Sequence, residues 1–258
     1  MRLEPGTRSP RSASEDAVDS RPAFYALAPG GWRDYATILH PPYTAWHLSY
    51  VVLGAALAPH LSFAGLVLTA LAFFLAVGIG AHALDELHGR PLGTAIPATV
   101  LMGLAASSIA GAVAIGVLGA VTVSAWLWVF IGGGVFLVVA YNLELFGGRF
   151  HTDWWFALAW GAFPVLTGYF ACAQDLRVPA FLAAGMAIAT SLAQRRLSSH
   201  VRTIRRRAQT VQGEVSYMDG TRTPITKASL TAPAEAALRA MTAGMILLAA
   251  TVLAARIG

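Results

Sequence analysis

The chain has 258 residues, 56% of them hydrophobic and only 12% charged, and a net charge of +5; its mean hydropathy is +0.60. Such a composition excludes an ordinary soluble domain and points to an all-α, polytopic membrane protein. The basic excess argues against a nucleic-acid partner, because the arginines fall between apolar stretches where membrane topology accounts for them.

Residues 1–22 are rich in Pro, Ser, Arg and acids and cannot bury enough apolar surface to order themselves. A flexible cytoplasmic tail is expected over 1–34, with amphipathic matter resuming at Phe24, and a transmembrane helical domain over 35–258. No cleavable signal peptide is visible, so the first span doubles as the membrane signal. Seven apolar stretches follow, at about 44–59, 63–83, 96–117, 122–142, 153–172, 178–194 and 235–255, each near the roughly 20 residues that cross the hydrocarbon. The basic residues place the N-terminus inside: five arginines precede the first span, and Arg90, Arg149 and the stretch from Arg195 follow spans two, four and six. Lone Cys172 excludes an intramolecular disulfide.

The second span ends in AHALDELHGRPL, where His82, Asp85, Glu86 and His88 fit on one half of a helix. Charge at membrane depth is costly, so such a cluster faces a cavity or a partner, or else is solvated at the interface. Imidazoles and carboxylates at this spacing suit a divalent metal: Mg²⁺ through Asp85 and Glu86, or Zn²⁺ or iron with His82 and His88 included. The fourth span ends in AYNLELFGGRFHTDWW, with Tyr141 at the membrane edge and Arg149 on a Gly147-Gly148 turn. Arginine's planar fork suits phosphate or carboxylate, whereas Tyr141, Trp154 and Trp155 read more simply as an interfacial belt. A basic cytoplasmic connection is expected at 195–234. Its first part, RRLSSHVRTIRRRAQT, carries six arginines, including Arg195 and Arg196, with Leu197, Val201 and Ile204 compatible with one helical stripe. It suits anionic lipids at the cytoplasmic face or a lipid pyrophosphate. Beyond it, YMDGTRTPIT reads as a turn centred on Asp219-Gly220.

The order and spacing of these segments resemble the UbiA-type intramembrane prenyltransferase superfamily. LHPPYTAWHLSYVVLGAALA followed by GIGAHALDELHGRPLGTAIP is similar to the family's proline-containing entry to span one and the Asn-Asp-x-x-Asp motif ending span two. Asp85 matches that motif's second aspartate, His82 stands at its first, and Ala81 at its asparagine. The passage from Tyr141 through Arg149 into the glycine-containing fifth span is similar to the family's tyrosine, basic turn and helix.

The resemblance implies an enzyme that transfers or processes an isoprenoid pyrophosphate-type lipid. Asp85 and Glu86 would be catalytic, His82, Asp85, Glu86 and His88 metal ligands, and Tyr141, Arg149, Arg195 and Arg196 substrate-binding. Members of the family usually have nine spans and a second acidic motif after span six. Here that place is taken by RRLSSHVRTIRRRA, with only Glu214 and Asp219 as nearby acids. Two other readings stay open: a non-catalytic lipid- or partner-binding membrane subunit, and a His/carboxylate metal-dependent membrane hydrolase or oxidoreductase.

Overall fold

The computed structural model describes residues 21–258. Of the segment read as a tail, residues 1–20 lie outside the described residues. The protein is mostly helical, 74% helix against 3% strand, so its class is all-α. Each of the seven apolar stretches is a helix, preceded by one short helix.

The helices, in chain order, are α1 (Trp32–Ile38), α2 (Pro41–Leu57), α3 (Phe63–Leu87), α4 (Ala98–Thr122), α5 (Leu127–Asn142), α6 (Asp153–Ala173), α7 (Val178–Arg207) and α8 (Lys227–Ile257). Among the described residues, α3, α4, α6 and α8 are long and apolar enough to cross a membrane. Helix α5 is apolar but only 16 residues long. Between α7 and α8, β1 (Glu214–Ser216) and β2 (Arg222–Pro224) form an antiparallel hairpin whose loop is the turn read at Asp219-Gly220.

Helix starts follow local chemistry. Pro41 and Pro42 open α2, where their missing N–H groups are not needed. Ser62 caps α3 by accepting from the Gly65 amide, Thr152 caps α6 from Trp155, and Thr226 with Ser229 builds a reciprocal capping box on α8. Wide π-type turns interrupt α3 at Phe74–Ala81 and α6 at Leu158–Ala162. Both carry glycine, and Gly161 lies so close to α7 that a Cβ there would come within 2.7 Å of the Ala187 carbonyl oxygen and of Ser191 Oγ.

Helices α2 and α6 run parallel through the centre. His47 Nδ1 donates to the Trp160 carbonyl (2.7 Å) near one end, and the Cys172 thiol meets the Ser62 carbonyl (3.6 Å) at the other. Helix α7 returns antiparallel to α6, its Arg195 pairing with Asp153 at the start of α6 (3.1 Å). Fully buried Trp46 and Tyr50 pack on Ala162, Val165, Ala184 and Ala187, and Tyr50 Oη bonds Thr190 Oγ1 at 2.6 Å. This alternation gathers the starts of α2, α6 and α8 and the ends of α3, α5 and α7 at one polar end.

The expected connection at 195–234 is shorter in the structure. Helix α7 continues through Arg207 and α8 begins at Lys227, leaving 208–226 for the hairpin and its flanks. The arginine-rich stretch stays helical because Val201 is buried with Ala234 and Leu238 of α8, and Arg205 donates to Glu235 at 2.6 Å. Residues 21–34 pack over the same end: Ala23, Ala26 and Asp34 are buried, and Asp34 accepts from the amides of Gly30 and Ala95 (both 2.9 Å).

Candidate functional site

The polar end encloses a cavity of about 340 Å³. Its walls come from residues 22–25, the start of α2, the end of α3, the α5–α6 passage and one face of α7. Helix α7 contributes Gln194, Arg195, Ser198, Arg202 and Arg206, spaced so that a 3.6-residue repeat turns all of them to one side.

Three of those side chains are arginines, and their partners differ. Arg195 pairs with Asp153 and lies 5.2 Å over the Phe156 ring. Arg206 donates to the Pro22 carbonyl (3.3 Å). Arg202 donates only to serine hydroxyls among the described residues, to Ser199 at 2.9 Å and Ser198 at 3.4 Å. Burial, and then the like charges of Arg195 and Arg206, loosen its proton from the usual arginine range. A cluster of this kind is relieved by an anion.

Opposite the arginines stand imidazoles. His40 and His82 stack with ring centres 4.1 Å apart and planes 9° from parallel. Tyr25 Oη shares a 2.8 Å hydrogen bond with His40 Nδ1, while His82 Nδ1 donates to the Gly78 carbonyl (3.2 Å). Burial holds the His40 imidazole well below the ordinary histidine range, helped by neighbouring His82 and by Arg206 and Arg202. It also pushes the Tyr25 phenol up. Carbonyl oxygens take the Nδ1 protons of His47 and His82, and their Nε2 atoms make no hydrogen bond among the described residues.

Two further groups lack partners among the described residues. Tyr141 Oη and Gln194 Oε1 are buried, line the cavity and make no hydrogen bond. Native interiors satisfy almost all such atoms, so this orphaned pair is completed by whatever fills the cavity, water or ligand.

The candidates from the sequence divide clearly. His82, Asp85, His88, Tyr141 and Arg195 line the cavity together. Glu86 does not: it is 1% exposed and its carboxylate accepts from the Leu92 amide (3.0 Å) and from the Thr94 amide and hydroxyl (both 2.8 Å). Arg149 and Arg196 are exposed and outside the cavity wall. Among the described residues no group of three or more His, Cys, Asp or Glu side chains is arranged to hold a metal ion, so the four-residue ligand set is not assembled. Tyr25, His40, Tyr43, His47, Gln194, Arg202 and Arg206 also line it, as do Glu144 and His151 of the α5–α6 passage. Their sequence signals were His40 beside Pro41-Pro42, and Gln194, Ser198 and Arg202 four residues apart.

A second cavity, apolar and about 320 Å³, lies between α3, α4, α5 and α6. Val77 and Trp160 belong to the walls of both. A polar, arginine-lined cavity and an apolar groove therefore adjoin across two side chains.

No protein-family model, curated protein or solved structure matches the chain.

Proposed function

We propose that the chain is a divergent UbiA-like, multi-pass membrane enzyme with seven spans and a cytoplasmic N-terminus. It transfers or processes an isoprenoid pyrophosphate-type lipid. The observation that carries this reading is the junction at Val77 and Trp160, where an arginine-lined polar cavity meets an apolar groove. An amphipathic ligand with an anionic head fits that pairing, and the resemblance of AHALDELHGRPL to the family's motif directs it to a prenyl donor.

In this reading Arg202 and Arg206, with Arg195, stabilise the departing pyrophosphate as the allylic C–O bond breaks and its electron pair leaves with oxygen. The acceptor's nucleophile forms the new bond to that carbon and gives its proton to Asp85 or to the free Nε2 of His82. The apolar groove keeps water from the allylic cation. Magnesium would find few protein ligands here, since Glu86 is committed to Thr94 and no acidic cluster is assembled among the described residues. Charge neutralisation therefore falls to the arginines. Exposed Arg196 and Arg207 at the same end suit anionic lipid head groups.

The test uses the full chain in lipid nanodiscs, titrated with farnesyl pyrophosphate and assayed for pyrophosphate release in the presence of membrane extract. Binding and release are expected, with Arg202→Gln weakening binding by about tenfold or more. Binding without release would establish the lipid-binding subunit instead, which the unassembled acidic cluster favours as second reading. No binding rejects the proposal.

A further inference from the structure

The apolar groove has a measurable length. Along α3 its wall runs from Val77, at the junction, back to Ser62, and along α5 from Val138 to Leu127. At about 1.5 Å per helical residue these walls extend roughly 16–22 Å. At the far end Leu127 and Phe130 of the lining belong to a packed cluster with Ala120 and Phe170, Phe130 stacked on Phe170 at 5.0 Å between ring centres.

The geometry points to a groove that measures one isoprenoid tail of about three to four isoprene units, the length class of farnesyl and geranylgeranyl chains. A saturated backbone advances roughly 1.2 Å per single bond, so an isoprene unit takes about 5 Å and the groove fills at three to four units. This inference rests on the reading of the polar cavity as a pyrophosphate site. The occupant is fixed by continuity: a tail entering between Val77 and Trp160 leaves its head group at Arg202 and Arg206. A shorter tail would leave apolar wall uncovered, and a longer one would meet the Leu127 cluster.

One position reports on length without rebuilding the fold. Gly134 lines the groove on α5, and a Cβ there would lie 3.4 Å from the Phe163 ring, ordinary van der Waals contact. It stands four residues before Val138, so a side chain at 134 blocks the groove roughly 6 Å beyond the junction. Ala112 on α4 lines the same groove and offers a second blocking point.

The experiment measures binding of inorganic pyrophosphate and of geranyl, farnesyl, geranylgeranyl and solanesyl pyrophosphates to the full chain in nanodiscs, for the wild type, Gly134→Leu and Ala112→Leu. In the wild type, farnesyl and geranylgeranyl pyrophosphates are expected to bind at least about tenfold tighter than inorganic pyrophosphate, with geranyl between and no further gain for solanesyl. Each leucine variant is expected to lose the farnesyl and geranylgeranyl advantage while keeping its affinity for inorganic pyrophosphate. If all tails bind equally, as when a bilayer phospholipid chain already fills the groove, the length inference falls and the head-group site stands. If neither inorganic pyrophosphate nor any prenyl pyrophosphate binds, the functional reading falls and this inference with it. The wild-type series decides the matter even where a leucine variant fails to fold.

Discussion

Asp85 and Glu86 are neighbours in the chain and meet opposite surroundings. Glu86 is saturated by the Leu92 and Thr94 amides and the Thr94 hydroxyl, whereas the Asp85 carboxylate faces the polar cavity and accepts no hydrogen bond among the described residues. Two carboxylates that look alike in sequence thus do different work. Glu86→Ala leaves two buried amides unpaired and is expected to lower stability by about 3 kcal/mol, read as a fall in melting temperature in detergent. Asp85→Asn should leave stability within about 1 kcal/mol of wild type and, on the proposed reading, slow turnover, with His82 Nε2 as the remaining proton acceptor. Equal destabilisation by both changes would show that Asp85 is also structural.

Gly54 on α2 and Gly168 on α6 each lie against the backbone of the other helix. A Cβ on Gly54 would fall on the Val165 carbonyl oxygen, and one on Gly168 on the Val51 carbonyl oxygen. Such backbone-to-backbone contact is possible only where the residues at the crossing are small. Gly54→Ala and Gly168→Ala are each expected to cost at least about 2 kcal/mol. Because either change separates the same pair of helices, the double variant should cost clearly less than the two losses added together, a coupling that a double-mutant cycle on thermal unfolding measures.

Much of this was legible before any coordinates. Seven apolar stretches became seven helices because a run of apolar residues near membrane length has few other ways to satisfy its backbone. The site was legible in part: periodicity put His82 and Asp85 on one face, and Tyr141 and Arg195 lie across the same cavity. Glu86 could not be separated from Asp85, because its partners Leu92 and Thr94 lie in a loop whose path no helical period predicts. Arg149 and Arg196 lie outside the cavity wall, a placement the sequence could not give, because a positive charge near the end of an apolar helix satisfies topology whichever way it points. His40, Arg202 and Gln194 were hidden because their meeting depends on α2 and α7 being antiparallel neighbours, a tertiary fact.

Arg205 and Arg202 lie within one turn of α7 and have different surroundings, Arg205 paired with Glu235 and Arg202 lining the polar cavity. Arg205 and Glu235 are 8% and 7% exposed and pair at 2.6 Å, fastening α7 to α8. Removing one partner strands a buried charge, so Arg205→Gln is expected to cost about 3 kcal/mol or more, while replacing both by Met and Leu should recover most of that loss. Arg202→Gln should do the reverse: little change in thermal unfolding and a marked loss of inorganic pyrophosphate affinity. If Arg202→Gln unfolds the protein and Arg205→Gln weakens only the anion, the two roles are exchanged.

Stability should also fall in mildly acidic solution, and His40 supplies one reason. It is half-buried, bonded to Tyr25 and stacked on His82, with Tyr43, His47, Arg202, Arg206 and Asp85 around the same cavity. Its imidazole stays neutral in the fold well below the ordinary histidine value, whereas the unfolded chain takes up that proton near about pH 6.5. The unfolded state therefore binds the extra proton, and the contribution present above about pH 6.5 is lost as the pH drops through that value. Between about pH 6.5 and 5.5 the loss amounts to roughly 1 kcal/mol for one such group. His40→Asn keeps a polar partner for Tyr25 and removes the titration. Its melting temperature, followed from pH 7.5 to 5.5, should fall less steeply than that of the wild type; equal slopes would mean that His40 is protonated in the folded state.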